Sequence, residues 1–129
     1  MAAASAQLGD THGQWGLVPA WGMSVRLPER VGRSRAKELM FTSRRISAAT
    51  AAEIGLVDRC VPDDELDTAV AALAAEIVAN SSGTNRIDKA LLAARSGMPR
   101  TAALLFERSL PFGFPPDMAE RMGRADKRR

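Results

Sequence analysis

The chain has 129 residues, enough for one domain or part of one and for a modest core. Alanine and leucine dominate its 46% hydrophobic fraction and tyrosine is absent, which favours helix over sheet, because sheets draw on β-branched and aromatic residues. The net charge of +3 is concentrated near the end, in Arg121, Arg124, Lys127, Arg128 and Arg129, with Glu120 and Asp126 interleaved, and so mixed a segment argues for a solvated tail and against a nucleic-acid-binding stripe.

Cys60 is alone, so no internal disulfide and no cysteine metal site is signalled, and no metal is expected. It sits in an apolar run, where a thiol behaves as a small buried hydrophobe. No run of about 18 apolar residues is present to span a membrane. Met1–Ala6 lacks the charged and apolar regions of a signal peptide, so the expected location is the cytoplasm.

Residues 1–6 are small and polar enough to be expected frayed. A short strand is predicted over Ala6–Gly9, then a loop at Asp10-Thr11-His12-Gly13, residue types that favour turns. Pro19 holds Val18 extended and suits a first helical turn, which predicts a short helix over Ala20–Leu27 interrupted by Pro28. Helix resumes after Gly32 with Ser34 as N-cap, an apolar face of Ala36, Leu39 and Met40, and Arg35, Lys37 and Glu38 outside. Ser47 caps the next helix, which carries Ala48, Ala51, Ala52 and Ile54 and closes at Gly55. Leu56–Val61 is the best strand candidate.

Asp63-Asp64-Glu65 opens what is predicted to be the longest helix, three carboxylates complementing the positive end of its dipole. Leu66, Val70, Leu73 and Ile77 form its stripe, and Asn80-Ser81-Ser82-Gly83 ends it. Further helices are predicted over Asn85–Ser96, from Pro99 with Leu105 and Phe106 on one side, and from Asp117 with Met118 and Met122. Between the last two lies a Pro/Phe hinge at Leu110–Pro116. An array of short helices with one weak sheet fragment reads as part of something larger.

From Gln7 to Pro62 a series of pieces stands in a telling order: Gly16-Leu17-Val18-Pro19, Trp21-Gly22, Arg26-Leu27-Pro28, Val31-Gly32, Ala36, Ile46-Ser47-Ala48, Ala52, Gly55-Leu56-Val57 and Val61-Pro62. Each is unspecific alone. The ordered set resembles the C-terminal half of the enoyl-CoA hydratase/isomerase (crotonase) family, with looser similarity continuing through Asn80. The resemblance implies a mostly α fold with one or two short strands, the C-terminal portion of the α/β crotonase (ββα superhelix) fold. On that template residues 1–62 are the end of the crotonase core, with an active-site loop, helices and a short strand, and residues 63–129 are a helical oligomerisation region.

The family resemblance also implies a chemistry: hydration or isomerisation of enoyl-CoA esters in fatty acid metabolism, by a homotrimer or dimer of trimers. Coenzyme A is then part of an acyl-CoA substrate, and no cofactor, nucleic acid or membrane is involved. Family hydratases polarise the thioester carbonyl with two backbone N–H groups and move protons with two glutamates. Both donors and the first glutamate belong to segments that this chain does not show, so by itself it is expected to be weakly active or inactive. The second glutamate belongs to a Gly-x-Pro-Glu pattern whose counterpart here is Gly9-Asp10-Thr11-His12, so His12 stands at its place. Two readings are open: an imidazole that exchanges protons near neutrality, assisted by Asp10, or a partly exposed loop histidine without chemistry.

Ala20 matches the family position whose backbone N–H contacts the catalytic water. Trp15 and Trp21 bracket the same turn, either as walls of an acyl pocket or as core or subunit-contact residues. Arg121, Arg124 and Lys127 lie where family members gather cations for the CoA phosphates. The alternative to an enzyme is a non-catalytic oligomerisation or interaction remnant, marked by self-association through helical faces left open.

Overall fold

The computed structural model describes the backbone of residues 1–126 and the side chains of residues 1–123. Its strands are two residues each: β1 (Ala2–Ala3), β2 (Gln7–Leu8), β3 (Ile46–Ser47) and β4 (Cys60–Val61). Its helices are α1 (Met23–Thr42), α2 (Ala48–Glu53), α3 (Leu66–Ala79), α4 (Ser82–Ala94), α5 (Arg100–Arg108) and α6 (Met118–Asp126). Single 3-10 turns lie at His12–Trp15 and Asp63–Glu65. The mostly helical class with few short strands therefore holds.

The first compact unit is Met1–Ala72. Its start is not frayed: β1 pairs in parallel with β4, Ala2 opposite Cys60 and Ala3 opposite Val61. Ser5 extends this by donating its N–H (3.2 Å) and hydroxyl (2.6 Å) to Asp63 Oδ1. Small polar residues at a terminus stay ordered when a partner edge satisfies their backbone, and β4 supplies one. The predicted strand at Ala6–Gly9 is present as β2, antiparallel to β3 with Leu8 opposite Ile46.

The predicted short helix is not ended by Pro28. Gly22, left-handed at φ 86°, opens α1, and Pro28 lies inside it. A proline there removes one donor, the partner of the carbonyl four residues earlier, and its fixed φ is still helical. The break comes instead at Gly32 (φ 77°, ψ 159°), so Ser34 lies within the second half of α1 and is not its cap. The non-helical Gly32 divides α1 into two shorter helical segments, so α3, at 14 residues, is the longest uninterrupted helix among the described residues, as its acidic opening predicts.

Ser47 caps α2 as its sequence predicts, its Oγ accepting the Thr50 N–H at 3.1 Å. Gly55 follows at φ 76°, the left-handed position that closes a helix. Leu56 and Val57 then both donate to the Ala51 carbonyl (2.8 and 3.2 Å), which keeps them in the closing turn. That is why the predicted strand over Leu56–Val61 shrinks to Cys60–Val61. Leu27, Ala36 and Leu39 of α1, Ile46 and Ala51 form the buried core, with Leu8, Met23, Val31, Met40, Ile54, Leu56 and Val57 packed against it. Ala48 and Ala51 are fully buried, since only a methyl fits where α2 meets its neighbours.

The second unit starts at Leu73. Helix α4 begins earlier than predicted, because Ser81 is its N-cap: the Oγ accepts the Thr84 N–H at 3.1 Å and donates to Asp117 Oδ1 at 2.6 Å. Gly83 is buried in the first turn, where a Cβ would lie 2.7 Å from Pro115 and 2.9 Å from Pro116. The predicted hinge thus packs on α4, and Phe112 meets Phe106 edge-on with ring centroids 6.2 Å apart. Among the described residues of this unit no hydrophobic side chain is buried. Val78 (79% exposed), Leu92, Leu105 and Phe114 are open to solvent.

Candidate active site

The site predicted on residues 10–21 is built on a loop between β2 and α1. Asp10 follows the strand and is buried at 5% exposure. Its Oδ1 accepts the backbone N–H of His12 at 3.0 Å and the imidazole Nδ1 of the same residue. A carboxylate bonding the backbone two residues on is the Asx turn that aspartate favours, and it starts the 3-10 turn over His12–Trp15. The turn closes at Gly16 (φ 65°), and the Leu17 N–H returns to the His12 carbonyl at 3.0 Å.

Burial by itself raises the pKa of the Asp10 carboxyl, but the side-chain and backbone hydrogen bonds from His12, with its charge, outweigh this and hold the group below its ordinary value. The His12 side chain is 23% exposed. Its ring meets Trp21 edge-on, centroids 6.4 Å apart at 66°. Among the described residues the ring's Nε2 has no hydrogen-bond partner. The structure therefore brings three of the predicted residues together, Asp10, His12 and Trp21.

Ala20 is exposed and its backbone N–H makes no bond within the described residues. It stays available as a donor beside Trp21. Trp15, at the end of the turn, is 74% exposed and Trp21 85%. Neither indole is a core residue of this chain.

Of the predicted phosphate contacts, Arg121 is engaged within its own unit, donating from Nε to Asp117 Oδ2 at 2.6 Å and from a terminal nitrogen to the Ala79 carbonyl at 3.2 Å. The Arg124 side chain and Lys127 lie outside the described residues. Cys60 is half-buried and free in β4. Among the described residues no group of three His, Cys, Asp or Glu side chains comes together to hold a metal. No helix among them is long and apolar enough to cross a membrane.

Sequence reasoning missed Ser43. It ends α1 at φ 49°, is 4% exposed, and its buried Oγ has no hydrogen-bond partner. That hydroxyl backs the loop, 2.7 Å from where a Cβ on Gly13 would stand, and the Ser43 carbonyl accepts Gln14 Nε2 at 3.0 Å. Its place thirty residues downstream of the turn it supports leaves no local signal. A groove of ≈ 400 Å³ along α1, lined by Ser24, Pro28, Arg33, Ala36, Lys37, Met40 and Phe41, was equally invisible.

The whole arrangement has close counterparts. The enoyl-CoA hydratase/isomerase family model matches residues 1–125. A crystal structure of an enoyl-CoA hydratase from Bacillus anthracis superposes with a TM-score of 0.92 at 32% identity, over 98% of this chain and 50% of that one. A structure from Thermobifida fusca in complex with CoA superposes at 0.78 with 34% identity, over 97% of this chain and 46% of that one. The crotonyl-CoA hydratase of Syntrophomonas wolfei is 37% identical over 98 residues, 76% of this chain and 37% of that protein. The chain thus spans less than half the length of the curated relatives it matches, 43% for echA8 of Mycobacterium bovis. Strands, helices and the loop around His12 together make up part of a crotonase fold, and the chain belongs to the enoyl-CoA hydratase/isomerase family.

Proposed function

We propose that this chain is the C-terminal portion of a crotonase-type enzyme of fatty acid metabolism, hydrating or isomerising enoyl-CoA thioesters in the cytoplasm. Residues 1–62 carry the end of the catalytic core and residues 63–129 the helices of a homotrimer or dimer of trimers. Support for the substrate class comes from the similar Thermobifida fusca structures in complex with CoA and with acetoacetyl-CoA. Support for assembly comes from the open apolar side chains of α3, α4 and α5, which are unfavourable in water unless covered.

The observation that carries the reading is the Asp10–His12 pair on the loop where the family resemblance places an acid/base carboxylate. An ionised aspartate beside an imidazole has two charge states, neutral overall when the ring is protonated and −1 when it is not. A single carboxyl group has the same two. The pair can thus occupy a carboxyl group's place without changing the site's charge balance, and His12 serves as the proton-exchanging group. Ala20 offers its N–H to the water, Trp21 and Trp15 flank the acyl chain, and Arg121, Arg124 and Lys127 serve the CoA phosphates.

The test is light scattering on the size-excluded protein, followed by calorimetric titration with crotonyl-CoA and an assay of its hydration. A defined trimer or hexamer that binds the thioester, with binding weakened by Arg124→Ala, is the expected outcome; turnover by this chain alone is expected to be weak or absent, and any that is seen should be lost in His12→Ala. A protein that binds no thioester in any assembly state overturns the reading.

A further inference from the structure

The geometry of the loop assigns Asp10 a role more specific than assistance. The carboxyl is held below its ordinary pKa, so near neutrality it is ionised and can only accept. Its Oδ1 faces both the His12 backbone N–H and Nδ1. A ring nitrogen in contact with an acceptor-only oxygen has to carry the hydrogen, in the neutral ring as well as in the cation. The other nitrogen, Nε2, is then the atom that gains and loses a proton. It is also the one without a partner among the described residues, on a side chain that is 23% exposed.

We propose that Asp10 is a positioning residue. It fixes His12 as the Nδ1–H tautomer and makes Nε2 the single atom through which the chain's only histidine exchanges protons with water or a bound thioester. As base, the Nε2 lone pair takes a proton from the water or the substrate carbon, and Asp10 neutralises the resulting imidazolium. As acid, the same atom returns it. The surroundings leave this assignment to Asp10. The end of α1 presents the uncharged Ser43 and the Met40 carbonyl to Gly13, and Trp21 meets the imidazole with an uncharged indole, the two rings inclined at 66°. Arg45 stands against Gly9, its Cγ 3.3 Å from where a Cβ would be, while the Arg44 side chain is paired with Glu38 at 2.6 Å. The role in catalysis rests on the function proposed above, whereas the tautomer is measurable without it.

A single histidine gives a single imidazole spectrum, so ¹⁵N NMR of the full chain, at a pH where the ring is neutral, reads the tautomer directly. The expected result is a pyrrole-type Nδ1 and a pyridine-type Nε2. Asp10→Asn retains the accepting oxygen and should leave this pattern in place. Asp10→Ala removes the acceptor, and the two nitrogens should exchange character toward Nε2–H. A native chain already in the Nε2–H form, or an Asp10→Ala spectrum unchanged from native, overturns the proposal. Should Asp10→Ala not fold, the native and Asp10→Asn spectra still decide it. Where the native chain turns crotonyl-CoA over at all, Asp10→Ala should lower kcat by roughly 10²-fold with little change in KM, within the range that a positioned acid/base group contributes. The native tautomer as expected, with no binding of crotonyl-CoA by any variant, would count against the enzymatic reading and leave the tautomer assignment standing.

Discussion

At Ser43 the backbone stands at φ 49° and the hydroxyl is buried without a partner. Both features cost stability in a residue other than glycine, about 1–3 kcal/mol for an unsatisfied buried group alone. Glycine recovers both and loses about 0.5–1 kcal/mol to chain entropy. Ser43→Gly is therefore expected to raise unfolding stability by about 1 kcal/mol, read as a higher urea midpoint at unchanged slope. Gly13→Ala should do the reverse, since its methyl would stand 2.7 Å from the Ser43 Oγ, and Gly13→Ala combined with Ser43→Gly should recover most of the loss. Asp10 adds a dependence on pH. A carboxyl whose folded pKa lies below the ordinary 3.8 contributes stability that is complete above that value and is lost as pH falls through the lower folded one. Asp58, lowered by the Arg30 hydrogen bond, Asp63, lowered by Ser5, and Asp117, lowered by Ser81 and then Arg121, act in the same direction. The urea midpoint should decline as pH falls below about 4; a midpoint that holds level to lower pH would contradict this assignment.

At the scale of the element, α1 and α4 show how few residues decide a helix's course. Gly32, at φ 77° and ψ 159°, occupies a region that only glycine enters without strain. Nothing lies within 4 Å of a Cβ built there, so the cost of Gly32→Ala is purely that of the backbone. It should destabilise by about 1–3 kcal/mol, or straighten α1 and disperse its buried residues Leu27, Ala36 and Leu39. A lowered midpoint, or altered protection of α1 amides in hydrogen exchange, would register either result. In α4 the contact is steric: Gly83→Ala puts a methyl 2.7 Å from Pro115, and overpacking of that kind typically costs about 1–3 kcal/mol. Ser81→Ala removes the cap and the Asp117 bond together, with an expected loss of about 1 kcal/mol or more in the same urea series.

Across the whole molecule, burial is uneven. The first unit has a small core built from alanine, leucine and isoleucine, whereas the described part of the second buries no large apolar side chain and exposes several, Val78, Leu92 and Leu105 among them. Helices with polar outer faces and uncovered apolar ones associate, because each Å² removed from water gains about 25 cal/mol. Charged substitution at Val78 (79% exposed) or Leu105 (61%) is therefore expected to lower the assembly state seen by light scattering and to leave the first unit's helical signal intact. An unchanged mass would show that these faces are not the ones that associate.

Much of this could be read in advance. Ser47, Gly55 and the acidic opening at Asp63–Glu65 are local devices, whose physics depends on residues within one turn of each other. The ordered glycine, proline and leucine pieces from Gly16 to Pro62 carried the family for the same reason, since turns constrain their own residues. By itself, then, the sequence determined the helical character, the loop bearing Asp10 and His12, and the family. What only the tertiary structure decided involves partners distant in the chain. The first residues are ordered by β4, Ser81 is claimed by Asp117, and Gly83 is pressed by Pro115. The burial of Asp10 belongs here too, and it makes the tautomer of His12 a structural property. A hydrogen bond or a steric contact between segments thirty to sixty residues apart leaves no periodicity behind, and only the folded chain shows where each group finds its partner.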